Sequence, residues 1–596
     1  MILSINIKID NFDKKIVIGN NNIFISLKVD EFYYEDDNNI FVLDTYHYFN
    51  GNDNFNKTVK KVIKKINRKE TFLIKLLSSN YFILHINKIN MKISLYRDPS
   101  GIKTGYYFND FCNKKFIAGN NMHEIAFNLN IKEFDKKNIY KFLYTNYLFD
   151  GDSFYKEIFE VKIGEIIDFY FNYKKLNKNK IKLPIINKEN KESIEVNKLM
   201  IKKNILKVFT NSFSKRENII FLSGGLDSNI MAINLKNILS DLSLISFFVK
   251  NTDENETPFA LEVADELKLP IKIFEKNPED KLKNQFEIFS LNMNLPYIGT
   301  IIFSNIDGGL NKTYYMGQDT RLHTPDFSII DYIAFLLKFD IKKCRFLKKV
   351  QIKLISLLNK FKSDRKIRGL IKVFYLLDFN DYLEKYFFKL DKNYYSDLGI
   401  STFYYDDVIK FYKLNKSILK KSNRIIYNEV VKIKWKEQYI SDIRYIQDMA
   451  KLKKTYIALP FYDFYLNEFF SQIPFKQAGK FSIGFGKFNK IPKIVNKFLL
   501  RKTYENDVNK KILFRDKAVS NTTSLLFGGD LGNVVKNILL LDLKSKNSFI
   551  KKYKLSKFVY RFIEMNVYKK KDSIVLMKIY NIASLIVIYE WLNNEK

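Results

Sequence analysis

Ile219-Ile-Phe-Leu-Ser-Gly-Gly-Leu-Asp-Ser228 is the stretch on which the reading of this chain turns. Ile219 to Leu222 reads as a short buried strand, and Asn229 to Leu239 follows with helical spacing. Ser223-Gly-Gly-Leu-Asp-Ser228 therefore falls at the carboxyl end of a strand and the amino end of a helix, where open α/β sheets bind ligands. Two glycines let the backbone approach an anion closely. The helix N-terminus presents unpaired N–H groups with a partial positive charge, and the two serine hydroxyls add donors. This is an anion cradle. Asp227 inside it would repel phosphate unless a cation intervened, so it reads as a Mg²⁺ ligand bridging to a polyphosphate, and the ligand expected is Mg-ATP. The plainer alternative is a Gly-Gly turn with a helix-capping Asp or Ser. Strand, glycine loop, acid and helix together favour the nucleotide.

Outward from this loop the same pattern repeats. A strand from Leu242 to Lys250, a helix from Glu256 to Leu267 and a strand from Ile271 to Phe274 imply βαβ units and a doubly wound parallel sheet covered on both faces. Lys312 to Gly317 adds a further strand. Beyond about residue 325 the spacing is mainly helical, in basic, aromatic-rich segments that make large additions to the α/β core. On the other side, residues 1–172 read as many short strands, among them Ile16-Val-Ile, Ile23 to Leu27, Ile40 to Leu43, Tyr81 to His85 and Lys92 to Tyr96, with helical stretches such as Asn56 to Asn67. That half is α+β. Residues 173–197 turn polar and lysine-rich, as a connector does, which leaves 198–596 as the second domain.

The chain has 596 residues, enough for two or three large domains. Hydrophobic residues at 46% and charged residues at 28% predict a buried core and exclude wholesale disorder and collagen-like classes. Lys+Arg 100 against Asp+Glu 65 leaves +35, which would suit nucleic acid, an anionic membrane or a phosphate-rich partner. The excess is spread along the whole chain, so it reads first as compositional drift, and nucleic acid stays open on charge alone. The two cysteines, Cys112 and Cys344, lie far apart, which excludes a disulfide framework and fits a reducing cytoplasm. The four histidines form no zinc pattern. Met1 to Asp10 alternates like a strand and does not read as a signal peptide. No apolar run reaches the roughly 18 residues of a membrane span, and Ile582 to Tyr589 reads as a buried C-terminal helix, so no membrane partner is expected.

The loop lacks the Gly-Lys-Ser/Thr ending of the Walker type. It resembles the pyrophosphate-binding loop of the PP-loop ATP pyrophosphatases, which include asparagine synthetases, related cyclising amide synthetases and tRNA-modifying enzymes. Asp253-Glu-Asn-Glu-Thr-Pro-Phe-Ala-Leu-Glu-Val-Ala-Asp-Glu-Leu267 looks like the segment after the second strand of asparagine synthetases. Leu459-Pro-Phe-Tyr-Asp463 looks like their Val-Pro-Phe-Leu-Asp, and Phe498-Leu-Leu-Arg501 with Phe514-Arg-Asp-Lys517 looks like their Leu-Leu-Arg and Arg-x-Lys pair. In the first half, Tyr96-Arg-Asp-Pro-Ser-Gly-Ile-Lys-Thr-Gly-Tyr-Tyr107 resembles the Arg-Asp-x-x-Gly-Ile segment of class II glutaminases, and Phe49-Asn-Gly51 echoes their Phe-Asn-Gly. The chain is thus similar to the asparagine synthetase-like superfamily along nearly its whole length. The resemblance implies an Ntn-hydrolase-like sandwich before a PP-loop (HUP-like) synthetase domain.

Two departures matter. Active class II glutaminases use an N-terminal cysteine as nucleophile, but residue 2 is Ile and Cys112 beside Phe111 reads as a buried, inert thiol. The first domain is therefore expected to be inactive as a glutaminase, as in β-lactam synthetases and lasso-peptide cyclases. In the second departure, Lys312-Thr-Tyr-Tyr-Met-Gly317 runs into Gln318-Asp319-Thr320, aligned with the family's Ser-Gly-x-Gly-x-Asp-Glu. Met316 stands where relatives carry a Glu or Tyr, and Tyr456 and Ala458 replace the family's Glu-x-Arg, so the base is open, with Tyr315, His323 and Glu437 as candidates. The resemblance implies ATP against Leu222, Ser223, Gly224, Gly225, Asp227, Ser228, Val249, Met316 and Gly317, Mg²⁺ on Asp227 and Asp319, and Arg515 and Lys517 as catalytic residues, with Lys517 meeting the leaving pyrophosphate. It implies a ligase joining a small-molecule or peptide carboxylate to ammonia or an amine through an acyl-adenylate. Asparagine synthetase proper using free ammonia, a tRNA-modifying enzyme and an ATP-binding pseudoenzyme are the competing expectations, and a homodimer is plausible.

Overall fold

Alternating apolar residues in the first 170 positions build two antiparallel sheets. The computed structural model describes residues 2–5, 14–18, 23–28, 32–45, 81–113, 115–170, 173–212, 216–250, 255–277, 282–299, 306–309, 311–317, 353–354, 357, 379–388, 390–436, 440–482, 493–495, 497–513, 527, 529–564 and 573–594. The strands are β1 (Ile2–Ile5), β2 (Lys14–Ile18), β3 (Ile23–Lys28), β4 (Phe32–Glu35), β5 (Asn39–Thr45), β6 (Tyr81–Asn87), β7 (Lys92–Arg97), β8 (Tyr106–Asp110), β9 (Lys115–Gly119), β10 (Phe159–Glu160), β11 (Glu165–Tyr170) and β12 (Lys175–Lys180). One sheet runs β10-β8-β9-β1-β3-β2 and the other β12-β11-β7-β6-β5-β4. The helix expected from Asn56 to Asn67 lies outside the described residues.

The period of two decides which way each strand faces. On β9, Phe116 and Ala118 join the core between the sheets while Ile117 joins the core outside, and Tyr107 and Tyr106 divide the same way on β8. Phe169 of β11 closes the sandwich, 4.9 Å from the Phe116 ring and 5.3 Å from that of Tyr107. The outer core is shared with helices α1 (Met122–Asn128) and α2 (Lys136–Thr145), and with helices contributed by the far end of the chain.

Two details differ from the sequence reading. The lysine-rich residues taken as connector include β12, which pairs with β11 from Glu165↔Lys180 to Tyr170↔Lys175. A terminal strand with one unpaired side needs few apolar residues, and lysines there discourage pairing with other chains. The second difference is Cys112, which is exposed rather than buried. It sits in the β8–β9 turn held by Asp110, whose Oδ1 accepts from the Cys112 and Asn113 N–H groups at 3.0 and 3.1 Å, while Phe111 takes the apolar contact.

The second half follows as α3 (Ile194–Ser212), β13 (Glu217–Phe221), α4 (Leu226–Lys236), β14 (Leu242–Val249), α5 (Thr257–Leu267), β15 (Ile271–Lys276), α6 (Lys283–Asn292), β16 (Lys312–Met316), α7 (Asn423–Lys434), α8 (Ile440–Leu452), β17 (Tyr456–Ala458), α9 (Phe464–Phe470), α10 (Phe498–Thr503), α11 (Asp530–Lys544) and α12 (Ser573–Asn594). β13 to β17 form a sheet in the order β15-β14-β13-β16-β17, with every pairing parallel. β13 is central and buried on both faces: Ile219 and Phe221 belong to one core, Ile220 and Leu222 to the other. That is why its sequence is continuously apolar. The order reverses beside β13, which opens a crevice at the carboxyl ends of β13 and β16.

α12 is longer than the eight-residue core expected for it. Ile574–Asn594 is long and apolar enough to cross a membrane by length and composition, yet 72% of that span is buried inside the protein. It packs on α6 and α11, and Lys578 within it is buried, with Nζ donating to the Leu143 carbonyl of α2. A helix that docks a buried lysine onto another element is a core helix.

A buried charge cluster joins the two halves. Arg97, fully buried, donates to Glu160 Oε1 at 2.8 Å, Val161 O at 2.7 Å and Lys103 O at 2.7 Å. Glu160 Oε1 also accepts from Nη2 of Arg444, on α8 in the other half. Beside it, Ser100 Oγ donates to Tyr462 O at 2.8 Å and Ser100 O accepts from Trp435 Nε1 at 2.8 Å. The Arg-Asp-x-Ser-Gly turn is thus a joint between the halves. Removing the carboxylate takes the nearest counter-charge from two buried guanidinium groups and leaves Arg97 only Asp150, at 3.9 Å, so Glu160→Gln is expected to lower unfolding free energy by about 3–5 kcal/mol in urea titration. Glu195→Gln on the exposed face of α3 should change it by less than about 0.5 kcal/mol.

Candidate functional site

The loop Ser223–Ser228 lies in the crevice between β13 and β16. Leu222 is tied to β14 by its N–H, which donates to Ile245 O at 2.8 Å, so the chain leaves the sheet in a fixed direction. Gly224 then adopts φ +67°, a left-handed conformation that L side chains resist. An added Cβ there would lie 2.6 Å from Phe259 Cβ and 3.1 Å from Ala260 N, so α5 passes directly against the turn. Gly225 caps α4 in an extended conformation, and its added Cβ would meet only Ser223 Oγ, at 3.2 Å. One glycine is needed for the turn and the other leaves an open approach.

The serines brace the loop across its base. Ser228 Oγ donates to Gly225 O at 3.1 Å and lies 3.3 Å from both Ser223 N and Ser223 Oγ. Asn229 Nδ2 also donates to Gly225 O, at 2.8 Å. Ser223 is exposed and Ser228 buried, so Ser223 is the hydroxyl facing outward.

The far wall comes from β16. An added Cβ on Gly317 would lie 3.0 Å from Ser228 N and 3.1 Å from Asp227 C, which brings the end of β16 against the first turn of α4. Met316, buried before it, packs into the same core as Phe221. Leu222, Ser223, Gly224, Gly225, Asp227, Ser228, Met316 and Gly317 are therefore adjacent, and Val249 ends the neighbouring strand β14. Asp319, Arg515 and Lys517 lie outside the described residues, as do His323 and Glu437.

One side chain at the crevice escaped the sequence reading. Lys497 precedes α10 with φ +56°, and its Nζ sits 2.5 Å from Asp227 Oδ2. Leu499 and Leu500 anchor α10 in the core beneath α4, which sets the reach of this lysine. The available signal was its place just before Phe498-Leu-Leu-Arg501, but nothing local shows that such a lysine meets a loop some 270 residues earlier. The crevice thus holds a backbone-donor turn, a carboxylate and an ammonium, all near a helix N-terminus that favours negative charge.

Tyr315 is not available as a base at this loop. It is fully buried, and its hydroxyl donates to Asn218 Oδ1 at 2.9 Å and lies 3.1 Å from Ser212 O, toward the amino end of β13. Tyr314 points to the other face and donates to Asp307 O at 2.8 Å. Asp463 caps α9, accepting from Leu466 N at 2.9 Å, and burial pushes its carboxyl up to about 6. Its segment is a structural corner following β17.

The open face at Gly225, the outward Ser223 and the helix N-terminus suit a polyphosphate. Asp227 suits a divalent cation shared with it, although among the described residues no three His, Cys, Asp or Glu side chains converge. Residues 212–299, from the end of α3 through β13, the loop, β14 and β15 to α6, match the asparagine synthase family. With the parallel sheet around them, the match makes this segment similar to asparagine synthetases, and it supports an ATP-dependent amide-forming ligase in general terms. No curated protein matches the chain.

The two glycines should respond unequally to substitution. Gly224→Ala is expected to cost about 1–3 kcal/mol through its left-handed backbone and its contact with α5. Gly225→Ala should cost less than about 1 kcal/mol. Denaturant unfolding of the two variants checks the order.

Proposed function

We propose that the chain is an ATP-dependent amide-forming ligase working through an acyl-adenylate. The observation that carries this reading is the Ser223–Ser228 turn in the sheet crevice, with Asp227 at its helix end and Lys497 reaching it. A carboxylate oxygen of the substrate attacks the α-phosphorus of ATP, the bond to the β-phosphate bridge oxygen breaks, and pyrophosphate leaves. An amine then attacks the acyl carbon, the bond to AMP breaks, and the amine gives up a proton.

In this reading the protein contributes position and charge. Backbone N–H groups of the turn, the α4 N-terminus and Ser223 hold phosphate oxygens. With a divalent cation on Asp227, Lys497 would be free to neutralise polyphosphate oxygens. Asp227 and Asp319 would hold Mg²⁺, which neutralises charge accumulating on the departing phosphates. Lys517 and Arg515 join on the pyrophosphate side by resemblance. The nitrogen comes from ammonia or a substrate amine, and the acid is a small-molecule or peptide carboxylate.

Pyrophosphate release from Mg-ATP by the purified chain tests this directly, with aspartate plus ammonia in one arm and pooled cell extract in the other. The expected result is release that depends on added substrate, falls at least ~100-fold in Asp227→Ala, and falls at least ~10-fold in Lys497→Ala. Release by wild type and Asp227→Ala alike, or none from either while ATP still binds, contradicts the ligase reading.

A further inference from the structure

The Gly225 carbonyl oxygen accepts three donors. Asn229 N reaches it at 3.1 Å, Asn229 Nδ2 at 2.8 Å and Ser228 Oγ at 3.1 Å. A carbonyl oxygen has two lone pairs, so this one is fully engaged. Asn229 is buried beneath the turn. Glycine at both 224 and 225 gives the turn little torsional restraint of its own, and the side chains at 228 and 229 supply it.

The same brace occurs at α9 with a different cap. Asn467 donates to Asp463 O through Nδ2 at 2.7 Å and through its N–H at 3.0 Å, while the Asp463 carboxylate accepts from Leu466 N at 2.9 Å. There the cap residue meets a donor of its own helix. At α4 the cap is Gly225, which has no side chain to do so. The turn of α4 is thus held from within the helix and left uncapped on its outer side. A peptide unit is planar and trans, so a carbonyl held toward the helix body directs the N–H of Leu226 out of the helix end, where an anion binds.

We propose that Asn229 is a positioning residue for the polyphosphate: its amide fixes the Gly225–Leu226 peptide so that the Leu226 N–H faces a phosphate oxygen. The assignment rests on the reading of Ser223–Ser228 as the ATP turn. Asn229 acts through the peptide and does not itself touch the ligand. Ser228 shares the same carbonyl, so loss of the Asn229 amide weakens the site without abolishing it.

Calorimetric titration of the full chain with Mg-ATP tests this in wild type, Asn229→Leu and Asn229→Ser, with thermal unfolding of each to show that it is folded. Leucine keeps the side-chain volume and loses the donor, whereas serine loses volume and keeps a hydroxyl that can bond the same carbonyl four residues back. Mg-ATP should bind at least ~5-fold more weakly to Asn229→Leu, and within ~2-fold of wild type to Asn229→Ser. A residue that only fills space gives the opposite order, because serine leaves a cavity and leucine does not. Asn229→Met, apolar and unbranched, takes the place of the leucine variant if that one does not fold. Binding of Mg-ATP as tight in the apolar variant as in wild type, or weaker in Asn229→Ser than in the apolar variant, overturns the assignment and leaves the ATP turn standing. No binding of Mg-ATP by wild type overturns the ATP turn and the assignment with it.

Discussion

A carboxylate at the mouth of a glycine turn constrains everything around it. Asp227 lies in the first turn of α4, where the helix N-terminus stabilises its negative charge. Lys497 meets it there, with Nζ 2.5 Å from Oδ2. Its position depends on α10 being packed against α3 through the core that holds Leu499 and Leu500, and the turn depends on Gly224 and Gly317, which let α5 and β16 close upon it. The parallel sheet, the helices behind it and the cradle are one mechanical unit.

The first half of the chain is bound to that unit by buried charge and by shared apolar core. Arg97 and Arg444 meet on one carboxylate, Glu160, and the Ser100 turn reaches both Trp435 and Tyr462. Tyr462 immediately precedes the Asp463 cap, following β17 in the parallel sheet. The sandwich thus reaches the segment that follows the edge strand of the parallel sheet.

Much of this was legible in the sequence, for definite reasons. β5, β6 and β7 put every second residue, from Ile40 and Val42 to Leu84 and Leu95, into the core between the sheets, and β13 is apolar on both faces, so periodicity alone marks them. β12 was missed because an edge strand has little apolar burial to record. α12 was underestimated because Lys578, Asn581 and Ser584 interrupt its apolar run, although all three are buried. Position in the chain marked Ser223–Ser228 as a turn between strand and helix, since a glycine turn there is a local property. Lys497, Arg444 and Glu160 meet their partners across long separations, and no local pattern encodes such meetings. Cys112 was misjudged because the neighbouring Phe111 carries the burial.

Photolabelling of the full chain with 8-azido-ATP, followed by peptide mapping, bears most directly on the claim that nucleotide binds in this crevice. The account predicts label in peptides from the carboxyl ends of β13, β14 and β16, suppressed by excess ATP and reduced in Gly317→Val, where a side chain would press on Asp227 and Ser228. Label spread over other surfaces and indifferent to competing ATP would contradict it.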